Sequence, residues 1–551
     1  MKHTLKTAAV AAVGTMLLVP AADAGDPIRT INLYSRPQAA QPAEFQSIQL
    51  IAQEWRKLGL DVDIKVMPWS QMANEVWYKR DTWDATAWQM VGRPERSDPD
   101  ELIFNLFHST TAEKGYNFIG YINPDYDKIV EEQRVTIDRE KRRDLVRQAQ
   151  TMLAEDQPNM MLVHPKQSFA FDNNVWDASS AVEQSGIGIR NTWTFLGLTP
   201  KGDQKDIILN SGDDVIAVNP LYISGSTDSW VTELLYDRLF RVGPDGLPQL
   251  WAAESFEWKD NKTIEVKLRS GMKWHDGQPL TVEDVKFSFE ATAGSEAPMY
   301  KPFSSNIDAI DVVDDNTLVF KLNDPSASFV TSSLAKINLI PKHVWEPVLA
   351  DLADKEDNAE SYQEPKPIGS GPYSFERWVP KEEIVLNKNS DHFAPPKADR
   401  WILRSVPNTE AALGMLRSGE INFLSDFPGD PKVLQDAAAA DGDLEVVSTI
   451  EMGFRYVAFN HRRAPFNDPE FRKALSAAVD RRLIVNAAFK GYAIPSNSVV
   501  SPALQFWNDP TVTENFKAGK DVAEGLLTAA GYEVKDGRLA YPGDVKEMLA
   551  N

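Results

Sequence analysis

Asp61-Val62-Asp63-Ile64-Lys65-Val66 sets a β-branched aliphatic at every second position with a charged residue between each pair. This is the period of a strand with one buried and one wet face. Just upstream, Ile48, Ile51, Trp55 and Leu58 recur at spacings of three and four, and Gly59 follows, which predicts an amphipathic helix with a glycine stop. Further upstream, Ile28 to Tyr34 reads as a short, imperfect strand ending at the turn-prone Ser35-Arg36-Pro37. Strand, helix and strand in that order predict an α/β layer, a sheet covered by helices. A second amphipathic helix is expected over 139–154, with Leu145, Ala149, Met152 and Leu153 on its apolar side and Pro158 beyond it.

Gly197 to Lys205 is polar and rich in turn formers, and reads as a linker. Beyond it lie short alternating strands: Ile264, Val266 and Leu268, then Leu318, Phe320 and Leu322. Between them, Thr281 stands three residues before Asp284 and opens an apolar run, a helix start of the capping-box kind. Residues 351–366 are acidic and polar and read as a surface loop.

The chain has 551 residues, enough for several lobes and more than one core, and its 42% hydrophobic and 25% charged content is ordinary for a soluble globular protein. Lys2 and Lys6 precede an apolar run from Ala8 to Pro20 and then Ala22-Asp23-Ala24, the layout of an export signal cleaved after Ala24. That run is too short to span a bilayer. With no cysteine, disulfides, thiolate chemistry and a lipid-bearing cysteine are excluded, and a free periplasmic protein is expected. The net charge is −22; residues 1–24 hold two lysines and one aspartate, so the remainder carries −23. Such acidity disfavours nucleic acid and anionic membrane surfaces as partners.

Ala253 to Trp258, followed by Val266-Lys267-Leu268-Arg269-Ser270-Gly271-Met272-Lys273-Trp274-His275-Asp276-Gly277, closely resembles a signature of family 5 solute-binding proteins, which include oligopeptide-, dipeptide- and nickel-binding members. Thr281 to Glu290, Gly369-Ser370-Gly371-Pro372-Tyr373, Leu416 to Ile421, Phe459-Asn460, Pro465 to Asp468 and Arg472 to Leu475 continue the resemblance in family order. The family's later part stands in front. Ala52 to Trp69, Trp88, Asp98-Pro99-Asp100, Leu106 to Ser109, Tyr121 to Asp127 and Leu153 to Pro158 are similar to its closing elements. Each part occurs once, which implies a circular permutant; a fusion of two fragments and a misread gene are the competing explanations.

The resemblance implies an α/β, periplasmic-binding-protein-like two-lobed clamp (type II, cluster C) with an additional smaller domain, circularly permuted. After a signal peptide at 1–24, one ligand-binding lobe is expected from 28–165 plus 460–551. The other is expected from 166–237 plus 366–459, with 238–365 as the additional domain. The crossings between lobes fall near His164-Pro165 and Phe459-Asn460. The implied role is a monomeric receptor of an ABC importer, which takes a peptide or similar small polar solute, without cofactor, to a permease in the inner membrane. An oligosaccharide or an opine-like acidic solute is the alternative ligand.

In peptide-binding members an aspartate three residues after the tryptophan matching Trp88 pairs with the ligand ammonium; Val91 stands there. Between Trp88 and Asp98 the chain is about four residues longer than those members. The residues expected to bind ligand are Trp88, Arg93, Glu95, Asp98, Trp230 and Asn460. Glu95 is a candidate replacement acid, and Arg93 and Arg96 suit a carboxylate or phosphate. Glu95, Arg96 and Asp98 read equally as a solvated loop ion-pair set, and Asn460 as a strand-end turn residue. The few histidines have no metal-site spacing, and neither a nucleophile elbow nor a phosphate-binding loop is present. A periplasmic hydrolase is the reading from another class, with no carboxylate pair to nominate for it.

Overall fold

The computed structural model describes residues 25–543 apart from 224, 426 and 428, together with the backbone but not the side chain of Glu95; the expected export signal at 1–24 lies outside the described residues. The expected strand–helix–strand unit is present as β1 (Ile31–Ser35), α1 (Pro42–Arg56) and β2 (Val62–Val66), with β1 and β2 parallel. Ile48, Ile51 and Trp55 of α1 are buried against the sheet, and the Trp55 indole donates to Leu475 O at 3.0 Å. Gly59 follows at φ +87°, where a Cβ would lie 2.9 Å from Leu539 N. Glycine there permits both the left-handed turn and the close approach of the 538–540 strand.

β3 (Ala85–Met90) pairs with β1 in parallel, and with the strand Phe454–Phe459 in antiparallel register. The 14-residue strand β4 (Asn159–Asp172) then runs through the molecule. Its first half pairs with Phe454–Phe459, from Ala458 opposite Asn159 to Arg455 opposite Val163. Its second half pairs with Leu444–Ile450, from Ile450 opposite Lys166 to Leu444 opposite Asp172. On the far side lie β5 (Asp206–Ser211), its parallel neighbour Arg400–Ser405 and two further antiparallel strands, so one 12-stranded sheet passes through both halves.

The hydrophobic cores divide along the same line. One joins Ile28–Val62 to Val457–Tyr541, and another joins Tyr34–Met161 to Met452–Trp507. Across β4, Phe169–Tyr236 packs with Tyr373–Phe423. The segment Leu239–Leu339 forms its own core around a four-stranded sheet and the helix Val282–Ala293. Thr281 and Asp284 cap that helix reciprocally.

Two boundaries differ from the sequence expectation. Phe454–Phe459 is bonded to β3, so the second crossing lies at Glu451–Gly453 rather than at Phe459-Asn460. The acidic stretch 351–366 is helical at its start, because Lys342–Asp354 forms one helix in which Leu352 is buried. Sparse apolar residues inside an acidic run were enough to anchor that helix turn.

His164 sits at the crossing, fully buried, with Nδ1 2.9 Å from Gly453 O and Nε2 3.1 Å from Ser498 O. Burial pushes its pKa down to about 4, against the favourable pull of the two carbonyls. The unfolded chain therefore takes up a proton at higher pH than the folded one, and stability present above pH ~6.5 is lost as pH falls toward 4. The contribution at stake is about 3 kcal/mol. His461 is displaced in the same direction by burial. His164→Gln is expected to flatten, without abolishing, the fall of the urea midpoint between pH 6.5 and 4.

Candidate functional site

β3 ends beside the crossing, at Met90. Gly453 lies against β3 so tightly that a Cβ on it would come 2.4 Å from Met90 O. Met452 stands between Gly92 from one half and Gly186 from the other, within 3.1 and 2.6 Å of where their Cβ atoms would lie. The segment joining the return strands thus touches loops of both halves, and the candidate site is the interlobe region around it.

On the β3 side an aromatic group is built from three neighbouring segments. Trp88 is buried, with Trp69 at 4.7 Å, Phe118 at 5.0 Å and Trp77 at 6.5 Å between ring centroids. The most exposed of these four rings is Trp69, at 46%, with the Arg36 guanidinium 5.6 Å from its centroid. Arg36 is held by a two-point ion pair to Glu44 and by Gln89 Oε1 at 3.1 Å. Arg455, opposite Gln89 in the ladder, faces Glu451 at 3.5 Å. On the other side, Trp230 in the helix Ser226–Leu235 is half-buried beneath the Arg190 guanidinium, at 3.9 Å.

The remaining candidates behave differently. Arg93 is exposed and its guanidinium makes no ion pair with a described residue. The Glu95 backbone lies in the one-turn helix Pro94–Ser97, and its side chain is outside the described residues. Arg96 is occupied by Glu101 at 2.8 Å and by Val91 O. Asp98 is buried, and both its oxygens accept from Arg142 at 2.6 and 2.7 Å. Burial alone would lower the Arg142 pKa; the Asp98 charge and hydrogen bonds lift it above its ordinary value. Asp100, beside the pair, is raised chiefly by burial. Asn460 is fully buried, donating to Arg80 O at 2.7 Å and Trp83 O at 2.9 Å and accepting from Arg462 N. Asp98 and Asn460 are therefore engaged in holding loops together, and Trp88 supports an aromatic group whose open face belongs to Trp69. Trp69 was missed in the sequence; its signal was Pro68-Trp69 at the exit of β2, where a strand end meets the cleft. Among the described residues no cluster of three or more His, Asp or Glu is placed to hold a metal.

Residues 248–550, more than half of the chain, match the family model for bacterial extracellular solute-binding proteins, family 5 Middle. The chain belongs to that family. Among family 5 relatives, it is 28% identical over 342 residues to the oligopeptide-binding protein AppA of Bacillus subtilis, covering 60% of each chain. It is 30% identical over 289 residues to a putative ABC transporter peptide-binding protein of Brucella ovis (52% of each), and 26% identical to the glutathione-binding protein GsiB of Shigella dysenteriae (64% of this chain, 66% of the relative). The chain thus spans about 60% of the length of the first of these relatives. The solved structure of B. subtilis AppA with a nonapeptide overlaps 62% of this chain and 68% of its own, at 25% identity and a TM-score of 0.45. Family 5 proteins are bacterial extracellular solute-binding proteins. Among the described residues no helix is long and apolar enough to cross a membrane.

Arg142→Ala would strand the Asp98 carboxylate in the interior, and a loss of about 3–5 kcal/mol is expected by urea unfolding. Arg93→Ala should change stability by less than about 0.5 kcal/mol, so any loss of solute affinity in that variant reports a contact.

Proposed function

We propose that the chain is the periplasmic receptor of an ABC importer, capturing a peptide or similar small polar solute between two lobes and delivering it to a permease in the inner membrane. The observation that carries this reading is the crossing: family 5 membership combined with two cores joined through β4 and the short Glu451–Gly453 segment. Few backbone crossings between large bodies allow rotation about them, and a solute that contacts both bodies favours the closed state. In this reading one lobe comprises 28–165 with 454–541 onward, the other 166–237 with 366–450, and 238–365 is the additional domain. The export signal would be removed after Ala24, and the receptor acts as a monomer, without turnover of its solute.

The order of segments is that of a circular permutant. Supporting this, the cores combine residues 28–163 with 452–541, so the two stretches complete each other. The relatives named as peptide-binding also match only part of their own length.

An acidic solute, opine-like or otherwise, is the second reading. It is favoured by Val91, 52% exposed where peptide-binding members carry an acid, and by the exposed Arg93 two residues away, which makes no ion pair with a described residue. Trp69 and Trp230 supply rings for the apolar part of either solute.

Native mass spectrometry of protein purified from its own periplasm, followed by denaturation, identifies any retained solute. A peptide supports the first reading and an acidic non-peptide the second. Saturation with that solute is expected to lower the radius of gyration in small-angle scattering; an unchanged radius would count against closure. Trp69→Ala should weaken binding about tenfold while leaving the unfolding midpoint in place.

A further inference from the structure

The helix Ser226–Leu235 runs through Asp237 and Arg238 into the short strand Phe240–Val242. Arg238 and Arg241 are 5% and 4% exposed. Arg241 Nη2 donates to Glu233 O at 2.8 Å and Tyr236 O at 3.1 Å, at the carbonyl end of that helix, and its guanidinium lies 4.9 Å from the Trp251 ring centroid. Arg238 Nε donates to Asn338 Oδ1 at 2.9 Å and Nη1 to Ala335 O at 3.2 Å.

The counter-charges are near, but neither carboxylate is hydrogen-bonded to a guanidinium, and Asp237 Oδ2 is itself buried without a partner. Glu233 stands 3.6 Å from Arg238, and Asp237 4.0 Å from Arg241. Asp237 Oδ1 accepts from the Trp251 indole at 2.7 Å and lies 3.2 Å from His392 Nε2. Two guanidinium nitrogens remain: Arg238 Nη2 and Arg241 Nε are buried without a hydrogen-bond partner. Leaving a buried charged donor unmatched is costly, so native structures rarely do it without a ligand or water at hand. Burial, and then the neighbouring Arg238 charge, hold the Arg241 pKa down at about 10, against the pull of Asp237 and Glu233.

Both arginines line a small recess that opens to solvent. Its other walls include Pro94 from the lengthened loop after β3, Thr192 from the Phe169–Tyr236 half, and Thr331 from the additional core. We propose that this recess is an oxyanion-binding subsite, in which Arg238 and Arg241 take a carboxylate or phosphate-class group. Guanidinium pairs suit such groups by geometry as well as charge, and the threonine hydroxyls add neutral donors. Glu233 lines the same recess and opposes the anion, which sets a ceiling on affinity. The walls come from three parts of the molecule, so an anion here bridges the lengthened loop to the arginines. The subsite stands whether or not the receptor reading holds, because small-anion binding is measured without the transported solute.

The test is calorimetric titration of the mature chain with inorganic phosphate and, separately, with malonate, at ionic strength held constant with sodium chloride. Saturable binding of one anion per chain is expected. Glu233→Gln should tighten it about fivefold, by removing one like charge. Arg241→Gln should abolish it; if that variant fails to fold, Glu233→Gln decides alone. Binding of phosphate only assigns a phosphate-class ligand, and binding of malonate a carboxylate. Saturable binding that Glu233→Gln leaves unchanged would put the anion elsewhere and overturn the proposal. Absence of saturable binding in both wild type and Glu233→Gln would mean the recess holds water alone, and would overturn it too.

Discussion

Everything large in this molecule hangs on the hydrogen-bonding of one strand. β4 has 14 residues and serves two bodies, so its backbone groups must be satisfied by different partners along its length. Phe454–Phe459 serves the first half and Leu444–Ile450 the second, and the register changes between Val163 and Lys166. Pro165, which has no N–H to give, sits in that gap, and its carbonyl accepts from Glu451 N at 2.7 Å. The side chain next to it, His164, sits between carbonyls of two separate segments, Gly453 and Ser498, and the single N–H of its neutral ring donates to one of them. The crossing is thus narrow in backbone yet tightly fastened at its centre.

The local pattern in the sequence carried a good part of the fold. Val62 and Ile64 turn inward on β2 as their alternation requires, and Thr281 and Asp284 cap a helix as their spacing requires. β4 itself was harder to see. Its middle reads His164-Pro165-Lys166-Gln167, which interrupts any apolar alternation, because each half answers to a different core. The helix turn at 351–354 was hidden for the opposite reason: its charged residues are solvated, and a single buried leucine decides.

The binding residues were less legible than the fold. A tryptophan in a family motif and an aspartate beside a proline look alike in one dimension, whether they face a ligand or a neighbouring loop. Only the partners separate them. Asp98 spends both oxygens on Arg142, Asn460 spends its amide on Arg80 and Trp83, and Trp88 is covered by Trp69. Trp230 and Arg93 keep a surface to offer, and Arg238 and Arg241 keep donors in reserve.

Near the two ends of the described chain, Ile28 N bonds to Leu539 O, Tyr541 N to Asp26 O, and Leu539 N to Gly59 O. The first described strand and helix therefore cannot complete their core until residues 520–541 have been made. Contacts so distant in sequence are slow to form, since the loop between them must be closed before any burial rewards it. A chain wired this way commits to its shape only once residues near 540 have joined those near 28.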